Sequence, residues 1–188
     1  VVVGSRGRSS LARFFLGSVS QRVAKHAPAS VLIVKPPVKL IEKVLVGVDG
    51  SEDSCEAVKF LRHFPFPPEA GVCMVHVVHV PSPAFGVHKG YYETAELGGE
   101  LERLRSAAEV DGKKILAEAA EHLDGLEVET LVTAGPPARR LVELAAERDV
   151  TLLVVGSRGL TGAERFLMGS VSLQVCHHAP SSVLVVRD

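Results

Sequence analysis

The chain has 188 residues, 46% of them hydrophobic and 23% charged, with 21 Lys+Arg against 22 Asp+Glu and a formal net charge of −1. That apolar fraction supplies a real core and excludes a disordered chain. The even charge balance excludes a dedicated nucleic-acid binder and an electrostatic membrane attachment, both of which need a basic face. Aromatics are only 5% and Trp is absent, so stacking platforms for single-stranded nucleic acid are poorly supplied.

The chain opens on Val1-Val2-Val3-Gly4, which reads as the last buried strand of a domain already under way, so a fragment is expected. Residues 1–36 recur, without a gap, as residues 153–188: Gly4 matches Gly156, Gly17 matches Gly169 and Pro28 matches Pro180. The repeat spacing is about one domain length, so it marks a duplicated domain and not a solenoid. The expected organisation is the C-terminal remnant of a first copy over 1–36, a linker over 37–42 and a complete second copy over 43–188. Pro36-Pro37 opens the linker, since two prolines continue neither a ladder nor a helix.

Within the complete copy, strand and helix patterns alternate. Lys43–Asp49 is a β-branched apolar run of buried-strand length. Ser51 to Phe64 reads as a helix with Ser51 as N-cap and Ala57, Val58 and Leu61 on one face. Val72–Val80 is a second strand. A loop over Pro81–Glu96 carries Tyr91-Tyr92, which either cover a ligand or are an ordinary exposed pair. Leu97, Leu101, Leu104, Ala108, Ile115 and Ala119 mark a long amphipathic helix, stopped by Gly125. Leu126–Thr133 is a third strand, Pro136–Arg148 a helix, Leu152–Val155 a fourth strand, Gly169–His178 a short helix and Ser182–Arg187 a fifth strand. Such alternation predicts an α/β fold with a five-stranded parallel sheet and helices on both faces. Ligands in such sheets sit beyond the carboxyl ends of strands where the strand order reverses.

Cys55, Cys73 and Cys176 are odd in number, widely spaced and without a Cys-x-x-Cys pair, so neither a disulfide framework nor a thiolate zinc site is encoded. The longest apolar stretch, Val72–Val80, is broken by His76 and His79 and falls far short of the ~20 residues of a membrane span. No signal peptide is legible, and a cytoplasmic location is expected. Cys176-His177-His178 does not form a metal set, because adjacent helical residues point about 100° apart. The expected setting is a partly exposed helix end beside the C-terminal dipole.

The segment with chemistry follows the fourth strand. Gly156-Ser157-Arg158-Gly159 is followed by nine residues and then by Gly169-Ser170, which opens a helix. Glycines let the backbone approach a phosphate closely, and a helix N-terminus presents unpaired N–H groups with partial positive charge. The two ends of the loop are placed to hold a polyphosphate between them, with hydroxyls from Ser170 and Ser172. A loop with turn glycines and a serine cap is the plainer alternative, but the same spacing recurs at Gly4, Gly7, Gly17 and Ser18. Asp49, at the end of the first strand, either accepts from an adenine amine or ribose hydroxyl, or caps the following helix, or does both. Arg158 and Arg165, repeated as Arg6 and Arg13, either neutralise phosphate, or reach a partner subunit, or are solvated loop residues.

These residues resemble the universal stress proteins, over the whole chain. The ATP-binding branch carries glycine, two residues, glycine, nine residues, then glycine with serine or threonine, and Gly156, Gly159, Gly169 and Ser170 fit it. Lys43–Ser51 and His76-Val77-Val78 look like the family's first strand with its turn and its second strand. The resemblance implies a Rossmann-like sheet of order 3-2-1-4-5 and bound ATP, with or without Mg2+. It implies that Gly47, Val48, Asp49 and Val77 line the adenosine part. Val155, Gly156, Arg158, Gly159, Gly169, Ser170, Val171 and Ser172 would hold ribose and phosphates.

An ATP-binding regulatory protein of the universal stress response type is therefore expected, with at most weak hydrolysis. No Walker or kinase motif is present, and Glu164 is the glycine loop's one carboxylate. One alternative is an ATP pyrophosphatase of the PP-loop type, faintly echoed by Asp49-Gly50-Ser51-Glu52-Asp53-Ser54, which would put phosphate at the first strand. Another is a nucleotide-independent dimerisation scaffold. Strands 30–34 and 182–186 are the same element in two copies. They are expected to pair antiparallel within the chain as a pseudo-dimer, with a homodimer through the same strands as the alternative. A single nucleotide site, in the second copy, is expected. Residues 1–36 are expected to be marginal, because a lone strand–helix–strand piece buries little.

Overall fold

Leu152–Gly156 (β6) is buried along its whole length, which its uninterrupted apolar sequence demands of a strand covered on both faces. It lies in the middle of one seven-stranded sheet, in a computed structural model that describes residues 1–5, 16–67, 69–79, 95–123, 125–160 and 168–187. The strands are β1 (Val2–Gly4), β2 (Val31–Val34), β3 (Lys43–Gly47), β4 (Gly71–Val78), β5 (Val128–Ala134), β6 and β7 (Ser182–Val186). Their spatial order is β1-β2-β7-β6-β3-β4-β5. The described residues also form the α-helices α1 (Ser18–His26), α2 (Glu52–Arg62), α3 (Ala95–Ala120), α4 (Pro137–Glu147) and α5 (Ser170–His178).

Residues 43–187 hold the strands in the order β5-β4-β3-β6-β7, all parallel, which is the expected 3-2-1-4-5. The expectation of a five-stranded parallel sheet is nonetheless corrected. β2 adds to β7 antiparallel, with Val31 opposite Val185, Leu32 opposite Leu184 and Ile33 opposite Val183, and β1 adds to β2 in parallel. The sheet is therefore mixed and two strands wider. The antiparallel pairing of 30–34 with 182–186 inside one chain stands as expected.

Alternating strand residues feed two apolar layers. Leu45, Val75, Leu153, Val155, Val183 and Val185 pack with Leu141, Leu144 and Ala145 of α4, Val175 and Cys176 of α5 and Ala24 of α1. On the opposite face Val44, Val46, Met74, Leu152, Val154 and Leu184 pack with Val58 and Leu61 of α2 and Leu116 and Ala119 of α3. Residues 1–36 bury more than a lone strand–helix–strand piece would, which corrects that expectation. Val31, Ile33 and Ala24 are fully buried, because β7 supplies the neighbouring ladder and its side of the core.

The seam between β2 and β7 is locked by two reciprocal caps. Arg187, just past β7, donates to the carbonyls of Ala24 (2.9 Å), Lys25 (2.8 Å) and Ala27 (2.6 Å) at the C-terminus of α1. Its repeat counterpart Lys35, just past β2, donates from Nζ to the Ala179 carbonyl (2.7 Å) at the C-terminus of α5. Ser30 Oγ accepts from Arg187 N (3.1 Å), and Ser182 Oγ accepts from Lys35 N (3.2 Å). A cation on the last carbonyls satisfies orphan acceptors and complements the helix dipole. The expected partly exposed helix end at Cys176-His177-His178 holds for the histidines: His177 is half-buried, its value lowered by burial, and His178 is exposed, while Cys176 is fully buried and Lys35 adds positive charge at that end. Replacing Arg187 by Ala is expected to cost about 2 kcal/mol, read as a lower urea midpoint with an unchanged slope. An unchanged midpoint would show that the caps carry no net stability.

Candidate functional site

The carboxyl ends of β3 and β6 lie side by side, and the turns that leave them meet. After β3, Asp49 Oδ1 accepts from Ser51 N (3.0 Å) and from the Ser51 hydroxyl. Gly50 turns the chain at φ +83°, a left-handed conformation that glycine adopts without strain. Ser51 then caps α2 by accepting from Ser54 N (3.2 Å), as its position predicts. The helix cap is therefore Ser51 and not Asp49, whose Oδ1 holds the capping serine in place. The other, Oδ2, lies 2.5 Å from where a side-chain carbon at Gly159 would sit. Only a glycine at 159 lets the Asp49 carboxylate lie against that backbone.

The loop after β6 is closed at its base. Ser157 N donates to the Val186 carbonyl, and Gly169 N donates to the Ser157 carbonyl, each at 2.8 Å. The position of a Cβ at Gly169 is 3.7 Å from Gly159 N, so the start of α5 adjoins the Gly156–Gly159 turn. No side chain caps α5. Gly159 thus adjoins both the start of α5 and the Asp49 carboxylate. Residues 161–167, including Glu164 and Arg165, lie outside the described residues, as do Arg6, Arg13, Tyr91 and Tyr92.

Asp53, in the first turn of α2, organises this corner and was not singled out as a site residue from the sequence. It is 6% exposed. Its Oδ2 accepts from Ser157 Oγ (2.6 Å), Arg158 N (3.1 Å) and Arg158 Nε (3.1 Å), and its Oδ1 accepts from Arg158 Nη2 (2.7 Å). The Arg158 guanidinium, read as a phosphate partner or a solvated charge, is thus engaged by Asp53. Gly156 makes this possible: a Cβ there would fall 2.7 Å from the Asp53 carbonyl carbon and oxygen, so α2 presses directly on the β6 backbone. No local signal marks Asp53, since an acid in a first helical turn is common and its partners lie over 100 residues away.

The other expected site residues take quieter places. Gly47 packs under Leu141, and Val48, Val155 and Gly156 are buried. Val77 and Val171 are half-buried against the core, and Ser170 is exposed at the helix start. Ser172 is 4% exposed and donates to the Gly156 carbonyl at 2.7 Å. Its hydroxyl ties α5 to β6, where the sequence suggested a donor for phosphate. Val48 is fixed from both sides: its N–H donates to the Val75 carbonyl, and its carbonyl accepts from Nδ1 of His76, both at 2.9 Å. Burial pushes the Cys73 thiol up to about 11 and the Cys176 thiol up to about 12, so neither offers a thiolate near neutral pH. A cavity of about 960 Å3 opens at the opposite, amino-terminal ends of β3–β5, among Lys43, Glu69, Cys73, Glu129 and Arg148. It shares none of the predicted residues. Among the described residues no group of three His, Cys, Asp or Glu side chains is placed to hold a metal, and no helix is long and apolar enough to cross a membrane.

Burial pushes the Asp53 carboxyl up, but hydrogen bonds from Arg158 and Ser157 and the Arg158 charge outweigh it and hold the group below its usual range. The unfolded chain therefore takes up this proton first. The stability Asp53 contributes is complete above the unfolded carboxylate value of about 3.9 and is lost as pH falls through the lower native value. Urea midpoints of the wild type should fall across that acid window, and those of Asp53→Asn should fall less. Parallel pH curves for the two proteins would contradict the pairing.

Comparison with known proteins gives a consistent set. The model of the universal stress protein family matches residues 1–35 and residues 41–187. The chain is 31% identical over 150 residues to universal stress protein YxiE of Bacillus subtilis, covering 79% of this chain and all of that one. It is 35% identical over 194 residues to a universal stress protein of Mycobacterium tuberculosis H37Rv, covering all of this chain and 61% of that one. It therefore spans about three-fifths of the length of this mycobacterial relative. Among solved structures, a universal stress protein in complex with cAMP superposes with a TM-score of 0.53 at 26% identity, covering 79% of this chain and 98% of that one.

Proposed function

The chain belongs to the universal stress protein family, and on that footing we propose that it is an adenine-nucleotide-binding regulatory protein whose ligand is ATP. The observation that carries the reading is the uncapped N-terminus of α5 lying against Gly159, with the Asp49 carboxylate against that same glycine. The nucleoside sits at the Asp49 end, where Oδ2 accepts from an amine or hydroxyl, with Val48 and Val77 beneath it. The phosphates sit on the backbone N–H groups of Gly159, Ser170 and Val171, which supply positive potential without a lysine. The related protein solved with cAMP supports an adenine nucleotide on this scaffold. Any Mg2+ enters with the phosphates, and no protein ligand is assigned to it.

The role is binding, not turnover. Hydrolysis needs an oriented water and charge neutralisation at the transferred group, and the one arginine of the described loop is held by Asp53. The PP-loop alternative would put phosphate at the β3–α2 turn. There Ser51, held by Asp49, already caps the helix, so nothing favours it. Residues 1–36 are read as the closing part of a first copy, and the cytosol as the compartment.

Gly169→Asp tests the proposal cleanly. Gly169 is the N-cap of α5 at φ −62°, and its missing Cβ has ordinary space. An aspartate there caps the helix itself and fills the phosphate position with a negative charge. ATP at a hundredfold excess over Kd should raise the wild-type melting temperature by about 5 to 10 °C. The variant should melt no lower than wild type and show no ATP shift. An ATP shift retained in Gly169→Asp would overturn this placement of the phosphates.

A further inference from the structure

We propose that Asp53 is a positioning residue for the phosphate half of the nucleotide site, holding both anion-binding backbone segments in register from behind. The inference rests on the adenine-nucleotide reading and extends it to a residue that faces the loop's own backbone rather than the ligand. One carboxylate takes four hydrogen bonds from two consecutive loop residues, Ser157 and Arg158. Ser157 is the hinge of the arrangement. Its hydroxyl is held by Asp53, and its carbonyl accepts from Gly169 N at 2.8 Å. Gly169 is the N-cap of α5. The chain of contacts Asp53–Ser157–Gly169 thus fixes where the first amides of α5 lie relative to Gly159. Backbone donors stabilise an anion only when their geometry is set before it arrives, because water competes for loosely held N–H groups.

The internal repeat shows which contacts of the loop base recur. Residues 1–36 build the same base, with Gly17 N donating to the Ser5 carbonyl at 2.8 Å, and the Ser20 hydroxyl donating to the Gly4 carbonyl as Ser172 does to Gly156. What Asp53 adds in the second copy is the hold on Arg158 and the tie to α2, which also carries the Asp49–Ser51 cap at its start. Asp53 therefore joins the nucleoside end of the site to its phosphate end. Arg158 has a matching part: its guanidinium neutralises Asp53, so that the buried carboxylate does not repel the phosphates it positions.

A positioning role at the phosphates predicts a loss that depends on phosphate. Calorimetric titration of the full chain with ATP and with adenosine separates the two halves of the site. Asp53→Asn should weaken ATP by about tenfold or more, the scale of a lost hydrogen bond to a charged group, and change adenosine affinity by no more than about twofold. Ser157→Ala removes one donor and leaves the carboxylate and Arg158 in place. It should show the same phosphate-selective pattern at smaller size, and it carries the test if Asp53→Asn does not fold. Equal losses for ATP and adenosine, or ATP affinity unchanged or tightened, would overturn the inference while leaving the nucleotide reading intact. A wild-type protein that bound neither ligand would overturn that reading, and the inference with it.

Discussion

The site depends on the contact between the first turn of α2 and the bare backbone of Gly156. A side-chain carbon at 156 would collide with the Asp53 and Ser54 backbone at 2.7 to 2.9 Å. Because none is there, α2 descends onto the end of β6, and Asp53 comes within reach of Ser157 and Arg158. The same descent brings the β3–α2 turn to the β6 loop, so that the Asp49 carboxylate rests against Gly159. Two glycines, three residues apart, thus serve one purpose: they let main chain and carboxylate approach main chain. The positive potential offered to a ligand then comes from oriented amides at a helix end, which suits a chain whose formal net charge is only −1.

The second constraint is the seam between β2 and β7. The register centres the pairing on Leu32 and Leu184, which are repeat counterparts of one another. The reciprocal caps by Arg187 and Lys35 follow from that pseudo-symmetry, since each strand ends beside the other copy's helix. The pairing hides the facing edges of β2 and β7. Lys35 ends on the C-terminus of α5, whose N-terminus is the proposed phosphate site, so the seam and the site share one helix.

Much of this was legible in the sequence. The order of elements followed from apolar periodicity, and the repeat exposed both the glycine spacing and the pairing of 30–34 with 182–186. Ser51 as a cap and Asp49 as a residue at the reversal point were readable because their partners are local. What escaped the sequence was long-range. The Asp53–Arg158 pair joins residues 105 positions apart, and an isolated acid in a helical turn carries no sign of such a partner. Ser172 looked like a ligand donor because a hydroxyl in a helix's first turn usually faces out, whereas here the helix rotation aims it at the Gly156 carbonyl. The width of the sheet was missed for a similar reason: residues 1–36 were weighed as an appendage, and only the ladder to β7 makes them part of the core.

The central claim is that an adenine nucleotide lies across the carboxyl ends of β3 and β6 with its phosphates on the start of α5. The most direct measurement is the shift of backbone amide resonances in 15N-labelled protein on addition of ATP. The account predicts that the largest shifts fall on Asp49, Gly159, Gly169, Ser170 and Val171. Shifts concentrated on Lys43, Gly71, Val72, Glu129 and Arg148, around the cavity at the opposite ends of the strands, or no shifts at all, would contradict it.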